Sequence, residues 1–369
     1  MTTVFALIIA DGTGERIWPL SDKTFPKTIL NPDGRYTLFQ RTFVNVAEFV
    51  DDKNIITVTD NARLYDLKEQ LKELQRKFDR KSEYRIVSEP IHKNTASSLT
   101  YGLKYLESVL TFATEDCVVI SIPSDFIIDS RKDFANAFQK GINLAKAGYI
   151  VSFSSEVEDI REDFSYVKTR RNPKVNEIEP DALKVTSFIE FPDTKSKKDS
   201  LKGRVYADSG VYMYTIETLM SELKKFAPGI FETVSLMTVE DSLSPDDTKK
   251  YENLPSLSIQ SAVMENTKKL VTVPVSAWKN LNSWDAVYEI SEKDEKNNFI
   301  KGNVIGIDSE NNIVYSENKF TALLGVSDKT VAVTDNAVLV ADRKDINSVK
   351  TVYEKIYSDS DKVKSLQKT

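Results

Sequence analysis

Two glycines and two cations stand in a fixed order near the start of this chain. They lie in Asp11-Gly12-Thr13-Gly14-Glu15-Arg16, followed by Trp18-Pro19-Leu20-Ser21 and Pro26-Lys27. Glycines in a tight turn let backbone N–H groups converge on an anion, and an Arg and a Lys just beyond could neutralise it. The simplest ligand for such a turn is a phosphate chain. Taken alone, the segment supports that reading and a plain strand-to-helix turn with surface cations about equally. It has neither the Gly-Lys-Ser/Thr of a P-loop nor the three spaced glycines of a dinucleotide fold. Two more polar corners follow, Glu89-Pro90 to Asn94 and Pro123-Ser124-Asp125. A strand-end Asp such as Asp125 is also a common helix N-cap.

The elements that must position these residues alternate. Val4 to Ala10 is a continuous apolar run, as expected of a strand buried on both faces. A helix opens at Leu38, and Ile55 to Thr59 is a second buried strand. Residues 62–78 read as a helix, with Leu64, Leu67, Leu71 and Leu74 spaced by three and four. Tyr84 to Val87 is a strand, 94–110 a helix, Cys117 to Ile122 a strand, 132–147 a helix and Tyr149 to Phe153 a strand. This rhythm predicts an α/β fold, a mostly parallel sheet with helices on both faces. Ligands of such sheets collect outside the carboxyl ends of the strands, where all three polar corners fall. The expectation is one crevice facing them.

From about 155 to 215 shorter strands suggest an antiparallel insertion, with Phe164 to Val167 and Val185 to Glu190. Residues 216–225 read as helix and Leu243 to Asp247 as an acidic, turn-rich loop. Ser291 to Asn298 is a charged linker. Beyond it come short strands at 303–307, 312–316, 322–326, 330–334 and 337–341, then a helix at 346–357 and a basic tail. The expected domains are 1–291, a linker at 292–301, and a β-rich extension at 302–369 closed by a helix.

Composition removes several function classes. The chain has 369 residues, 40% hydrophobic and 29% charged, as expected of one large domain plus an appendage. A net charge of −6 argues against a nucleic-acid surface. No stretch approaches the roughly 20 apolar residues of a membrane span. The first residues read straight into a strand, which predicts a cytoplasmic protein. Cys117, the only cysteine, lies in an apolar run and reads as a buried structural thiol, so disulfides and Cys-based zinc sites are excluded. His92 is the only histidine, which excludes His-rich metal centres.

Further segments stand in order after the opening signature: Glu89-Pro90 with Lys93-Asn94-Thr95-Ala96, Pro123-Ser124-Asp125-Phe126, Phe188-Ile189-Glu190-Phe191-Pro192-Asp193, Asp208-Ser209-Gly210, Ser258 to Glu265, and Trp278 to Trp284. In that order, and along nearly the whole chain, they resemble the mannose-1-phosphate guanylyltransferase (GDP-mannose pyrophosphorylase) family of sugar nucleotidyltransferases. The resemblance implies a Rossmann-like fold of GT-A type. It also implies a reaction in which a sugar 1-phosphate attacks the α-phosphorus of a nucleoside triphosphate, with GTP and mannose 1-phosphate favoured, and releases pyrophosphate. On that template Gly12, Thr13, Gly14 and Arg16 wrap the triphosphate and Lys27 neutralises it. Glu89, Asn94 and Thr95 line the nucleotide pocket, and Glu190, Asp208 and Gly210 form the sugar site. Asp125 holds Mg²⁺, with Asn280 at the second metal position. The strand-rich tail offers sheet edges that could pair two copies into a homodimer.

The departures from the family pattern cluster at functional positions. Asp11 stands for a Gly, Phe126 for a His, Phe191 for a Lys, Asp208 for an Asn and Asn280 for an Asp, and glycines are absent around Asp163 and Ser165. An enzyme needs another cation in place of the missing Lys, and Lys168 and Arg170 are the candidates. The alternative is a weakened or noncatalytic homologue that binds a nucleotide sugar or regulates an active partner.

Overall fold

The computed structural model describes residues 2–10, 12, 14–21, 26–31, 35–78, 84–110, 117–157, 160, 164–190, 204–239, 244–276 and 278–358. Asp11, Thr13, Asp163 and Phe191 lie outside them. The chain divides into two compact units: Met1–Asp11 with Phe39–Lys279, and Gly12–Leu38 with Asn280–Thr369. The expected linker at 292–301 falls inside the second.

In the first unit the apolar runs are strands. β1 (Thr3–Ile9), β2 (Ile55–Asp60), β3 (Arg85–Glu89) and β4 (Cys117–Pro123) run parallel in the order β3-β2-β1-β4. Every residue of β2 is buried, which is why its sequence shows no polar alternation. The helices between them are α1 (Leu38–Val46), α2 (Leu64–Phe78), α3 (Thr95–Val109) and α4 (Arg131–Lys146). α2 buries Leu67, Leu71 and Leu74 on one stripe and leaves its charges outside.

A short β5 (Phe126–Ile128) follows β4. Then come β6 (Ile150–Glu156), β7 (Ser165–Arg170), α5 (Pro173–Ile178), β8 (Leu183–Ile189) and β9 (Arg204–Thr215). α6 (Ile216–Phe226), α7 (Pro228–Ser235), α8 (Pro245–Glu252), β10 (Leu270–Pro274) and β11 (Trp278–Asn280) complete the series. Among the described residues β1 to β4 and β6 to β10 form one nine-stranded sheet, β3-β2-β1-β4-β9-β6-β10-β8-β7, while β5 pairs with β11. β9 enters its centre antiparallel to both β4 and β6. The sequence places β9 only within the antiparallel insertion of shorter strands at about 155–215; at twelve residues it is longer than that expectation and central to the sheet. α8 is a correction, since the sequence suggests an acidic loop there. Ser244 caps it by accepting from the Asp247 N–H, and Asp246 and Asp247 sit in the first turn, where the helix dipole favours carboxylates.

The second unit is built on β12 (Phe299–Ile307), β13 (Ile313–Leu324), β14 (Lys329–Val333) and β15 (Val338–Asp342), paired in chain order. The first three are parallel and the last is antiparallel. Two expected strands, 312–316 and 322–326, are one continuous β13; the register shift opposite it, between Gly302 and Val304, absorbs the extra length. α9 (Trp284–Ile290) and α10 (Val349–Ser358) pack on this unit with Ile17, Trp18 and Leu20 from the opening signature. The Trp284 indole N–H donates to the Trp18 carbonyl at 3.1 Å, so both tryptophans are packing residues. Cys117 is buried in β4, as expected. No helix among the described residues is long and apolar enough to cross a membrane.

Candidate active site

Asp125 sits at the carboxyl end of β4 and is 3% exposed. Its turn is pinned to the sheet edge by the Ser124 N–H, which donates to the Ile9 carbonyl at 3.2 Å. Phe126 is fully buried, its ring stacked on Trp278 at 6.2 Å and 5.8 Å from Phe134. It is therefore part of the hydrophobic core, and its replacement of a family His changes packing.

The Glu89–Thr95 corner caps β3, the outer strand of the sheet, separated from β4 by β2 and β1. Glu89 is fully buried, and its carboxylate accepts from Ser98 Oγ at 2.9 Å and from the Tyr251 hydroxyl. Asn94 adopts φ 70° and ψ 169°, a region that a residue with a side chain rarely visits. Its Oδ1 accepts from the Thr95 N–H at 2.8 Å, and Thr95 Oγ1 accepts from the Ile259 N–H at 2.8 Å. The hydroxyl of Thr95 and the carboxylate of Glu89 thus hold the corner together from inside. Tyr251, on α8, carries no motif and is not visible in the sequence. It stands edge-on to Tyr101, whose hydroxyl is pushed up to about 12 by burial and then by the Glu89 charge. Tyr251→Phe removes one of the donors to a buried carboxylate, and a loss of about 1.5–3 kcal/mol is expected. Urea unfolding measures it; an unchanged midpoint would show that the bond carries no stability.

Asp208, Gly210 and Glu190 also converge. Asp208 is buried and accepts from Ser152 Oγ, from the Tyr212 hydroxyl at 2.6 Å and from the Gly210 N–H at 3.1 Å. Glu190 lies close enough to act on the Tyr212 hydroxyl, as does the Gln260 side chain. Gly210, at φ 75°, faces the Asp125 turn: a Cβ there would meet Pro123 Cγ at 4.0 Å. Ser165 pairs with Asp208 in register, whereas Lys168 pairs with Val205. Side chains alternate along a strand, so Lys168 and Arg170 stand on the face opposite Asp208.

Burial pushes the Asp208 carboxyl from 3.8 up to about 6, against the pull of its three donors. A raised carboxyl stabilises the fold below the unfolded value, and that contribution is lost as pH rises through about 6. Asp208→Asn is therefore expected to match the unchanged protein near pH 4 and to exceed it by about 2–3 kcal/mol at pH 7.5. Its amide can turn an N–H toward Ser152. Unfolding midpoints across pH 4–8 test this, and a constant difference would refute it.

In the second unit, Gly12 (φ 93°) and Gly14 (φ 72°) take left-handed conformations beside Lys27. A Cβ on Gly12 would stand 3.4 Å from Lys27 Cε, and one on Gly14 would be 2.9 Å from Lys27 Cβ and overlap Ser21 Oγ. The Ser21 hydroxyl donates to the Gly14 carbonyl at 2.6 Å, closing the loop. Arg16 lies in the following 3₁₀ turn, Glu15–Ile17. Asn280 is half-buried at the point where the chain enters this unit.

Among the described residues no group of three or more His, Cys, Asp or Glu side chains could hold a metal ion. Asp125 offers one buried carboxylate. That donor suits a magnesium ion arriving with substrate phosphates, since Mg²⁺ is commonly held by one or two carboxylates plus phosphate oxygens.

The family model described as Nucleotidyl transferase matches residues 5–297, and that of the MannoseP isomerase/GMP-like beta-helix domain matches residues 302–356. Mannose-1-phosphate guanylyltransferase of Salmonella montevideo is 30% identical over 361 residues, 95% of this chain and 73% of that protein. The protein of the same name from Escherichia coli K12 is 29% identical over 365 residues, 96% of this chain and 74% of that one. The crystal structure of mannose-1-phosphate geranyltransferase from Thermus thermophilus shares the fold, with a TM-score of 0.78 at 21% identity over 97% of this chain and 100% of that one. With both parts of its length matched in order, the chain belongs to the nucleotidyl transferase family, in its mannose-1-phosphate guanylyltransferase branch.

Proposed function

We propose that the protein transfers a nucleoside monophosphate from GTP to mannose 1-phosphate, forming GDP-mannose and pyrophosphate. An oxygen of the sugar phosphate forms a bond to the α-phosphorus, and the bond from that phosphorus to the bridging oxygen of pyrophosphate breaks. Gly12, Thr13, Gly14 and Arg16 grip the triphosphate through backbone N–H groups and a guanidinium, and Lys27 offsets charge on the departing phosphates. Asn94 and Thr95 shape the nucleotide side, while Glu190, Asp208 and Gly210 shape the sugar side. Magnesium, when bound at Asp125, supplies further neutralisation of phosphate charge.

The observation that carries this reading is the buried Asp125 carboxylate on a pinned strand-end turn, beside Gly210 in a family of nucleotidyl transferases. Pyrophosphate release from a panel of nucleoside triphosphates and sugar 1-phosphates tests it. Release above background only with GTP and mannose 1-phosphate is expected. A second reading, a noncatalytic binder of nucleotide sugars, is favoured by the uncharged Asn280 at the second metal position. For that reading GDP-mannose would raise the melting temperature while no substrate pair released pyrophosphate.

We also infer that two copies associate through β12. It is the edge strand of its sheet, and from Gly302 to Ile307 it carries none of the charges that usually guard such an edge. Ile305, Ile307, Phe320 and Leu324 are 46%, 52%, 67% and 73% exposed on this sheet. Together they offer on the order of 500 Å² per copy, enough for a small specific interface. A twofold axis lets the same strand pair with itself. Ile307→Lys is expected to convert dimer to monomer in light scattering after size exclusion; a monomeric unchanged protein would refute the interface.

A further inference from the structure

The residue after Asp125 is held by a side chain from a distant helix. Thr42, fully buried on α1, accepts from the Phe126 N–H at 3.1 Å and donates to the Phe126 carbonyl at 3.1 Å. One hydroxyl therefore satisfies both backbone groups of Phe126. On the other side of Asp125, the Ser124 N–H is bound to Ile9. The Phe126 ring is caged between Trp278 and Phe134, and Lys279 pairs with Asp129 at 2.9 Å just beyond. The turn is thus fixed before, after and beneath the carboxylate.

A buried helical threonine ordinarily returns its hydroxyl to the carbonyl four residues earlier. Thr100 on α3 does this, donating to Ala96 at 2.7 Å. Thr42 directs its hydroxyl to the Asp125 turn instead, from a helix face otherwise occupied by Phe39 and Phe43. At such a site packing alone would be met as well by valine. The hydroxyl bonds both backbone groups of Phe126, and a valine would remove both of those bonds beneath a buried turn.

We propose that Thr42 is a positioning residue for Asp125, fixing the Pro123–Phe126 turn so that the carboxylate is presented in a single orientation. This rests on the transferase reading of Asp125. A turn loosened by about 1 Å costs catalysis up to about a hundredfold even when every reacting group is retained. Nucleotide contacts made elsewhere are left in place, so the loss falls on kcat more than on KM.

The test uses the full chain with Thr42→Val, Thr42→Ser and Asp125→Ala. Readouts are kcat and the GTP KM for pyrophosphate release, Mn²⁺ binding in the presence of GTP by electron paramagnetic resonance, and the melting temperature. Thr42→Val is expected to lower kcat about 10- to 100-fold, with the GTP KM within about threefold, and to weaken Mn²⁺ binding about tenfold. Thr42→Ser, which keeps the hydroxyl, is expected to restore both to within about threefold. Should Thr42→Val fail to fold, Thr42→Ala removes the same bonds without a new methyl group and is judged by the same values. Wild-type kcat and Mn²⁺ affinity in Thr42→Val, with Asp125→Ala inactive, would overturn the positioning role alone. Equal losses in Thr42→Val and Thr42→Ser would overturn it too. Full turnover by Asp125→Ala would instead overturn the reading of Asp125, and the role of Thr42 with it.

Discussion

Gly302→Ala is expected to destabilise the second unit by about 3–5 kcal/mol, lowering its melting transition by roughly 10–20 °C. Gly302 adopts φ 102° in β12, where an L side chain is strained whatever space surrounds it. There is also no space: a Cβ would overlap the carbonyl oxygen of Ser316, its register partner on β13. That oxygen belongs to the backbone and cannot rotate aside. Relief requires shifting the β12–β13 pairing where the register already slips, between Gly302 and Val304. Gly306→Ala in the same strand is the control. Its Cβ would meet only Ser309 Cβ at 3.8 Å, and a change within about 1 kcal/mol of either sign is expected. Differential scanning calorimetry of both variants decides the matter. Equal transitions would show that the crowding at Gly302 is not felt.

The parts of this molecule that could be read from residues are those whose cause is local. A continuous apolar run such as Cys117 to Ile122 has one economical structure in a chain of this composition, a strand covered on both faces. The leucine stripe of α2 and the Gly-bearing loop at Gly12 to Lys27 are local in the same sense. β9 escapes such a reading because Asp208-Ser209-Gly210 interrupts its alternation. A carboxylate in the centre of a sheet is tolerable only because Ser152, Tyr212 and the Gly210 N–H surround it. Ser152 comes from another strand, and nothing near Asp208 announces it. The start of α8 is legible in principle, since Ser244-Pro245-Asp246-Asp247 is a helix-initiating sequence, but its acidity suggests a loop.

The same division runs through the candidate site. Gly12, Gly14, Lys27 and Asp125 carry their meaning in type and spacing. Thr42 and Tyr251 act on residues 84 and 162 positions away, through a backbone amide and a buried carboxylate. A lone Thr or Tyr on a helix gives no sign of such a partner. Lys168 and Arg170 show the converse. Their charge makes them candidates to replace the family Lys lost at Phe191, but the strand register sets them on the face opposite Asp208. Type suggests a role that placement does not favour.

Asp125→Ala is expected to reduce pyrophosphate release at least a hundredfold with the fold intact. The backbone bonds of the turn survive the substitution, because Ser124 and Phe126 are held by Ile9 and Thr42. A melting temperature within a few degrees is expected, and a larger drop would show that the carboxylate also holds the turn. The catalytic loss has a different origin. Phosphoryl transfer leaves little covalent work for the protein, so rate depends on neutralising charge that builds on the phosphate oxygens. A single charge-stabilising group in a water-poor site is worth about 2.7–4 kcal/mol, which is a hundred- to a thousandfold in rate. Asp125→Asn, nearly isosteric but uncharged, is therefore expected to fall as far as Asp125→Ala. A coupled pyrophosphate assay over a range of Mg²⁺ concentrations measures both. If Asp125→Asn kept more than a tenth of the rate, the carboxylate would be acting through its shape and hydrogen bonds, and its charge would have no part in the chemistry.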